Sequence, residues 1–189
     1  LGFFSVVEAA LGADMVAFKE AQELVEKGFL TSSCCPAFVS YIEKSFPALK
    51  QHISHNLSPM AELGRYIKET DPTAKVVFIG PCIAKKKESD ESSFVDAALT
   101  FDELADWFAA EGIVLPYEHV DPASEGALAR LYPATGGVLK ATAKVQGYRR
   151  IAIDGIDNCR AVFTEIENDE FGKVFIEMSA CEGSCVNGP

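Results

Sequence analysis

"KVVFIGPC", residues 75–82, is a short, continuous apolar run that breaks on Gly-Pro and stops at a cysteine. Such a run marks a buried strand of a parallel sheet. Cys82 then stands just past the strand's carboxyl end, where open α/β sheets gather their ligands. "KVFIEM", 173–178, runs on in the same way into Cys181. "SFVDAALT", 93–100, and "RRIAID", 149–154, read as two further strands. Between them, "TFDE" at 100–103 is a capping box that opens a helix over Phe101–Ala110, closed by Gly112. "ATGGVLKATAKVQ", 134–146, and "DNCRAVFTEIE", 157–167, read as helices, Gly136-Gly137 demanding close packing or a ligand-facing turn.

Upstream, "ADMVAFKEAQELVEK" predicts an amphipathic helix over Ala13–Lys27 with Met15, Phe18, Gln22 and Val25 on one face, stopped by Gly28. Phe38, Ile42 and Phe46 predict another after Pro36, ending before Pro47. Ser58 as N-cap and Pro59 at the first position open a third, with Met60, Leu63 and Ile67 on its apolar face. Strands alternating with helices give an α/β fold: two lobes of largely parallel twisted sheets flanked by helices, with the metal site between them.

The 189 residues suit one domain, and 48% apolar residues can build its core. A net charge of −11 argues against nucleic acid or an anionic membrane as partner. The basic run Lys85–Lys87 reads as a solvated loop. No apolar run reaches the roughly 18 residues of a membrane span, and no signal peptide is evident. The chain starts at Leu1, so it is expected to be a piece of a longer protein. Six cysteines without a secretory signal point to metal ligands or catalytic thiols and a cytoplasmic setting.

"SSCCPAF", 32–38, spends two of those cysteines on consecutive positions. With Cys82 and the pair in "CEGSC", Cys181 and Cys185, the chain has enough thiolates for the four corners of a cubane iron–sulfur cluster. Zinc would more often show a C-x₂-C turn, which is missing. Unligated or redox thiols, or a disulfide, stay open on spacing alone. Glu20 and Glu23, three apart on the first helix, read as a carboxylate pair on one face or as two exposed helix acids.

"TSSCCPAF", "GPCIAKKKE" and "EMSACEGSCVNGP" resemble, in order, the three signature motifs of the iron-only (diiron) hydrogenases, TSCCPxW, MPCxxKKxE and ExMACxGGCxxGGGQP. "GADMVAFKEAQEL" and "PATGGVLKA" are similar to intervening segments, and the resemblance extends from about Gly12 to Pro189. It implies an H-cluster: a 4Fe–4S cubane joined through a cysteine sulfur to a diiron unit carrying CO, cyanide and a bridging dithiolate with a central amine. By that resemblance Cys35, Cys82, Cys181 and Cys185 hold the cubane, Cys185 also bridging to the diiron unit. Cys34 passes protons to the bridging amine, a thiol beside a metal site being easier to deprotonate. Glu23, Ser54 and Glu20 follow as stations of a route to solvent. Lys85 hydrogen-bonds a cyanide, Ser58 lines the same pocket, and Pro81 and Ala180 are small neighbours of the diiron unit. Lys86 and Lys87 are expected at the surface, and so are His52, His55 and His119. Cys159 is expected to be a small core residue away from the site.

The resemblance further implies reversible oxidation of H2 to protons and electrons. The electrons would pass to a ferredoxin-like partner or to fused redox or signalling domains. It places the family's upstream pocket strand, ferredoxin-like domains and downstream glycine run outside these 189 residues. Departures concern the pocket. Gly80 and Ser179 replace methionines that pack on the diiron unit, Met60 a glutamine and Phe38 a tryptophan, while "CVNGP" breaks the glycine run. Glycine at 80 is expected to leave a void. This relaxed pocket is similar to that of family members assigned to H2 sensing, which turn over slowly. The competing expectation is a non-catalytic iron–sulfur protein of the cytosolic cluster-assembly type. Those relatives lack a diiron unit and typically the first of the paired cysteines, so Cys34 and Lys85 favour the diiron site.

Overall fold

Two parallel sheets carry the computed structural model, which describes residues 1–115, 128–168 and 172–188. The strands are β1 (Phe29–Thr31), β2 (Val77–Ile79), β3 (Ala97–Leu99), β4 (Arg149–Asp154) and β5 (Val174–Ser179). The larger sheet has the order β1-β5-β4, and β2 pairs with β3 in the smaller one. Helices α1 (Ala10–Lys27), α2 (Pro36–Ser45), α3 (Pro59–Thr70), α4 (Ala84–Glu91), α5 (Phe101–Ala110), α6 (Gly137–Ala141), α7 (Ile156–Ala161) and α8 (Phe163–Glu167) accompany them. The α/β architecture of parallel sheets flanked by helices is therefore present. His119 lies outside the described residues.

β5 is buried along its whole length, with a partner on each side. Its side chains alternate between two cores. Val174, Ile176 and Met178 pack with Phe38, Ile42 and Phe163, while Phe175 packs on the other face with Leu24, Leu30, Tyr132 and Val138. Burying a ring such as Phe175 contributes about 1.5–3 kcal/mol. The strand in the 75–82 run is only half-buried, contrary to expectation, because its sheet has just two strands.

Local chemistry sets the helix ends. Thr100 and Glu103 make the reciprocal capping box at α5, and Ser58 caps α3 ahead of Pro59. Three expectations need correction. The 134–146 helix is confined to Gly137–Ala141. Thr142 Oγ1 turns back to Val138 O, and the Arg150 guanidinium collects the Leu139 and Thr142 carbonyls, so the ladder stops there. The 157–167 segment breaks at Val162 into α7 and α8. Lys85–Lys87 lie in helix α4 rather than a loop.

α1 also turns a different face inward. Gly12, Ala13, Val16, Ala17, Glu20 and Leu24 are buried, whereas Phe18 and Val25 are 66% and 61% exposed. Close approach is the reason: a Cβ on Gly12 would collide with Pro59 O on α3. Small residues make that seam, and the larger apolar side chains fall on the open side.

Candidate metal centre

The chain leaves β1 and reaches the paired cysteines in four residues. Pro36 starts α2, so Cys35 is its N-cap, with Sγ accepting the Phe38 amide at 3.5 Å. The two neighbouring thiols diverge. Cys35 joins the core of Phe38, Ile176 and Met178; Cys34 packs against the opposite core of Leu24, Tyr132 and Phe175. Cys82 follows β2, and Cys181 and Cys185 follow β5, as the strand ends predicted. The second and third motifs meet, since a Cβ on Gly188 would lie 3.3 Å from Pro81 O.

Cys35, Cys82, Cys181 and Cys185 lie within electrostatic reach of one another. Burial first, then the charges of Cys35, Cys82 and Cys181, push the Cys185 thiol up to about 11, although Lys85 opposes this. Burial and the charges of Cys35 and Cys82 raise Cys181 likewise. Crowded thiols that resist ionisation on their own are suited to a cationic cluster that neutralises them. Among the described residues no three Cys, His, Asp or Glu side chains converge tightly enough to hold a single ion. All six cysteines are free thiols. Cys159 is buried as expected, yet it is not remote: it shares the Cys35 core, and its Sγ lies 3.6 Å from Ser179 O.

Cys34 is surrounded differently. Burial, followed by the charges of Glu20, Cys35 and Cys185, drives its thiol well above the ordinary value, with Lys85 opposing. These protein surroundings favour the S–H, a form that can both donate and accept. Glu20 is wholly buried, accepting the Ser33 amide at 3.3 Å and the Tyr132 hydroxyl at 3.1 Å. Glu23 lies further out, where Ser54 Oγ donates to it at 2.8 Å, Asn56 Nδ2 at 2.8 Å and Lys27 pairs at 2.7 Å. The order is thus Cys34, Glu20, then Ser54 and Glu23 towards solvent, the reverse of the expected sequence of acids. Neither acid is the exposed helix carboxylate of the simpler reading.

Burial raises Glu20 from 4.5 to about 7, its two hydrogen bonds only partly opposing. The folded protein therefore keeps a proton that the unfolded chain releases, and stability is lost as pH rises from about 4.5 to about 7. Glu20→Gln is expected to leave the apo protein's thermal midpoint unchanged at pH 4. At pH 8 it should raise stability by at most about 3 kcal/mol. A gain of equal size at both pH values would refute this.

Lys85 is buried, with Nζ 2.6 Å from Glu88 Oε2 and 3.4 Å from the Cys34 carbonyl. Ser58 Oγ donates to the other Glu88 oxygen at 2.5 Å. Lys86 and Lys87 pair at the surface with Glu103 and Glu91. Gly80 leaves no void: the Phe78 ring comes within 2.7 Å of where its Cβ would be. Gly80→Met should therefore cost about 1–3 kcal/mol in urea unfolding, with Phe78→Ala restoring much of it. Equal losses in both backgrounds would show that Phe78 does not occupy the space. Met60 is buried in α3. His52 stacks on Phe29, and exposed His55 donates its amide to Glu23.

Sequence reasoning assigned no role to Glu88, Tyr132 or Glu177. Glu88 stood inside the second motif and could have been noticed there. Tyr132 reaches Glu20 from 112 residues away, with no local signal. Buried Glu177 accepts the Gly136 and Leu139 amides, fixing the glycine turn to β5. A Cβ on Gly137 would collide with Leu131 O, so close packing explains that glycine.

The family model described as "Iron only hydrogenase large subunit, C-terminal domain" matches residues 1–189. Iron hydrogenase 1 of Clostridium pasteurianum is 28% identical over all of this chain and 43% of its own length. For the periplasmic [Fe] hydrogenase large subunit of Nitratidesulfovibrio vulgaris the figures are 29%, 100% and 59%. The chain thus spans about half the length of these curated relatives. The cytosolic Fe-S cluster assembly factor NAR1 of Kluyveromyces lactis is 38% identical, over 41% of this chain and 17% of that protein. Among solved structures, an [FeFe]-hydrogenase studied for oxygen inactivation at its H cluster superposes with a TM-score of 0.76. It is 22% identical over 99% of this chain and 70% of that one. A single-residue variant of the [FeFe]-hydrogenase HydA1 from Chlamydomonas reinhardtii gives 0.72 at 21% identity, with the same coverage. With its whole length matched and its fold shared, the chain belongs to the family formed by the C-terminal domains of iron-only hydrogenase large subunits.

Proposed function

We propose that this domain binds an H-cluster and catalyses reversible oxidation of H2, slowly enough to serve H2 sensing. The observation that carries the reading is the divergence of the paired cysteines. Cys35 joins three other thiols, and Cys34 turns to Glu20 and Lys85. Cys35, Cys82, Cys181 and Cys185 would hold the cubane. The bound group supplies the iron centre at which H2 is split into protons and electrons.

The chain's own part is to hold that group and move the proton. Lys85 uses two of its three donors on Glu88 and Cys34 O, leaving a buried ammonium hydrogen suited to an anionic cyanide. Glu88 fixes both Lys85 and Ser58, so the donor is held in place before any ligand arrives. Pro81 and Ala180 keep the backbone close to the site. Cys34 Sγ would hold and pass on a proton beside that group, and Glu20, Ser54 and Glu23 would carry it outwards. The Phe78 ring fills the space at Gly80, so it is Ser179, in place of a shielding methionine, that supports slow turnover. Electrons would pass to a ferredoxin-like partner or to fused redox or signalling domains, in a cytoplasmic setting. Among the described residues no helix is long and apolar enough to cross a membrane.

A second reading, a non-catalytic cluster-assembly protein, draws on the partial similarity to NAR1. The contact of Lys85 Nζ with the Cys34 carbonyl inside the pocket favours the diiron site. The test is infrared spectroscopy after maturation with the diiron cofactor. Bands of bound CO and cyanide are expected; iron at the level of one cubane with no such bands would establish the second reading instead.

A further inference from the structure

Among the described residues, Ser184 is the only non-glycine residue with a left-handed backbone, φ 59°. A Cβ is penalised there, so glycine would be the relaxed choice. Its hydroxyl is instead buried in a chain of others. Ser184 Oγ lies 2.9 Å from Ser179 Oγ and 3.0 Å from Thr135 Oγ1. Thr135 then donates to Asp154 Oδ2 at 2.5 Å. Ser179 and Ser184 are 6% and 4% exposed, whereas Thr135 is exposed and Asp154 half-buried. The chain therefore runs from the interior to the surface.

Its polarity follows from counting hydrogens. A carboxylate only accepts, so Thr135 gives Asp154 its single O–H. Thr135 must then accept from Ser184, and Ser184 from Ser179. Every hydroxyl points outwards. Alternation along β5 puts Ser179 on the face of Phe175 and Glu177, the side against which Cys34 packs.

We propose that Ser179, Ser184 and Thr135 form a proton path from the metal-facing end of β5 to Asp154, separate from the Glu20–Glu23 route. The path rests on the reading of the site as an H-cluster pocket. A proton arriving at Ser179 Oγ displaces that residue's own proton to Ser184. Ser184 passes its proton to Thr135, Thr135 to the Asp154 carboxylate, and Asp154 to water. One proton enters and one leaves, only O–H bonds change, and no electron moves.

The test uses the matured holoprotein in a Cys34→Ala background, which closes the first route. The readout is the rate at which the CO and cyanide infrared bands respond to a pH jump, together with the thermal midpoint. Ser184→Gly is the informative variant: it removes the hydroxyl yet relieves the left-handed backbone. The midpoint is expected to rise while the band response slows by about tenfold or more. Thr135→Val and Asp154→Asn, both towards the surface, should slow it similarly with bands of normal intensity. A response as fast in Ser184→Gly as in its Cys34→Ala parent would overturn the path, since a merely structural hydroxyl predicts that result. Absence of the bands from unsubstituted protein would overturn the H-cluster reading, and the path with it.

Discussion

Cys82→Ala is expected to abolish cubane binding: reconstituted protein should lose its iron and the broad visible absorption of the cluster. Four-thiolate ligation needs every corner. Cys82 is the cleanest corner to remove because the sixth cysteine, Cys159, stands behind a different one. Cys35 is a poorer choice, since Cys159 is buried in the same core and feels the charge of Cys35. Burial holds the Cys159 thiol up at about 12, and its Sγ faces the Ser179 carbonyl. A metal could still draw the proton off. Cys35→Ala is thus expected to retain some iron, whereas Cys82→Ala and Cys181→Ala should retain none. Iron and absorbance are read by chemical analysis and visible spectroscopy after anaerobic reconstitution. A full iron complement in Cys82→Ala would remove this residue from the ligand set, and the tetrathiolate assignment with it. The fold should survive the change, because Cys82 is a half-buried residue in a turn outside both hydrophobic cores.

The parts of the fold that could be read from the sequence depend on near neighbours. The Thr100–Glu103 capping box, Ser58 ahead of Pro59, and the cysteines after β2 and β5 each have their cause within a few residues. What could not be read depends on partners far along the chain. The inward face of α1 is set by Pro59 O approaching Gly12, and small residues carry little weight in an apolar pattern. Glu20 looks like an ordinary helix acid until Tyr132 and Ser33 are seen to enclose it. Gly80 suggested a void because the rotamer of Phe78, two residues earlier, is invisible in sequence. The motifs located the cysteines, while the charges that surround Cys34 became visible only in the fold. Glu20, Cys35 and Cys185 all repel a thiolate there, and Lys85 alone favours it.

That last point gives Cys34→Ala its expected result: iron and infrared bands close to those of the parent, with H2 turnover lower by roughly 10²–10⁴-fold. Cys34 points away from the core that contains Cys35, so its loss leaves the four clustered thiols in place. Burial and the neighbouring charges hold the Cys34 thiol above its ordinary range, so its S–H can relay by giving up one proton while gaining another. Its Sγ lies 3.9 Å from Ser32 Oγ, and Ser33, the next residue back from Cys34, donates its amide to Glu20. Glu20, with its affinity near neutrality, can take or return a proton at little cost. A methyl group can do neither. Cys34→Ser is the companion variant: a hydroxyl keeps the hydrogen-bonding pattern but is far harder to deprotonate, and its turnover should fall between the two. Iron loss in Cys34→Ala as complete as in Cys82→Ala would mean that Cys34 is itself a ligand. Turnover equal to the parent's would mean that protons leave by another way, with the Ser179–Asp154 chain the first to examine.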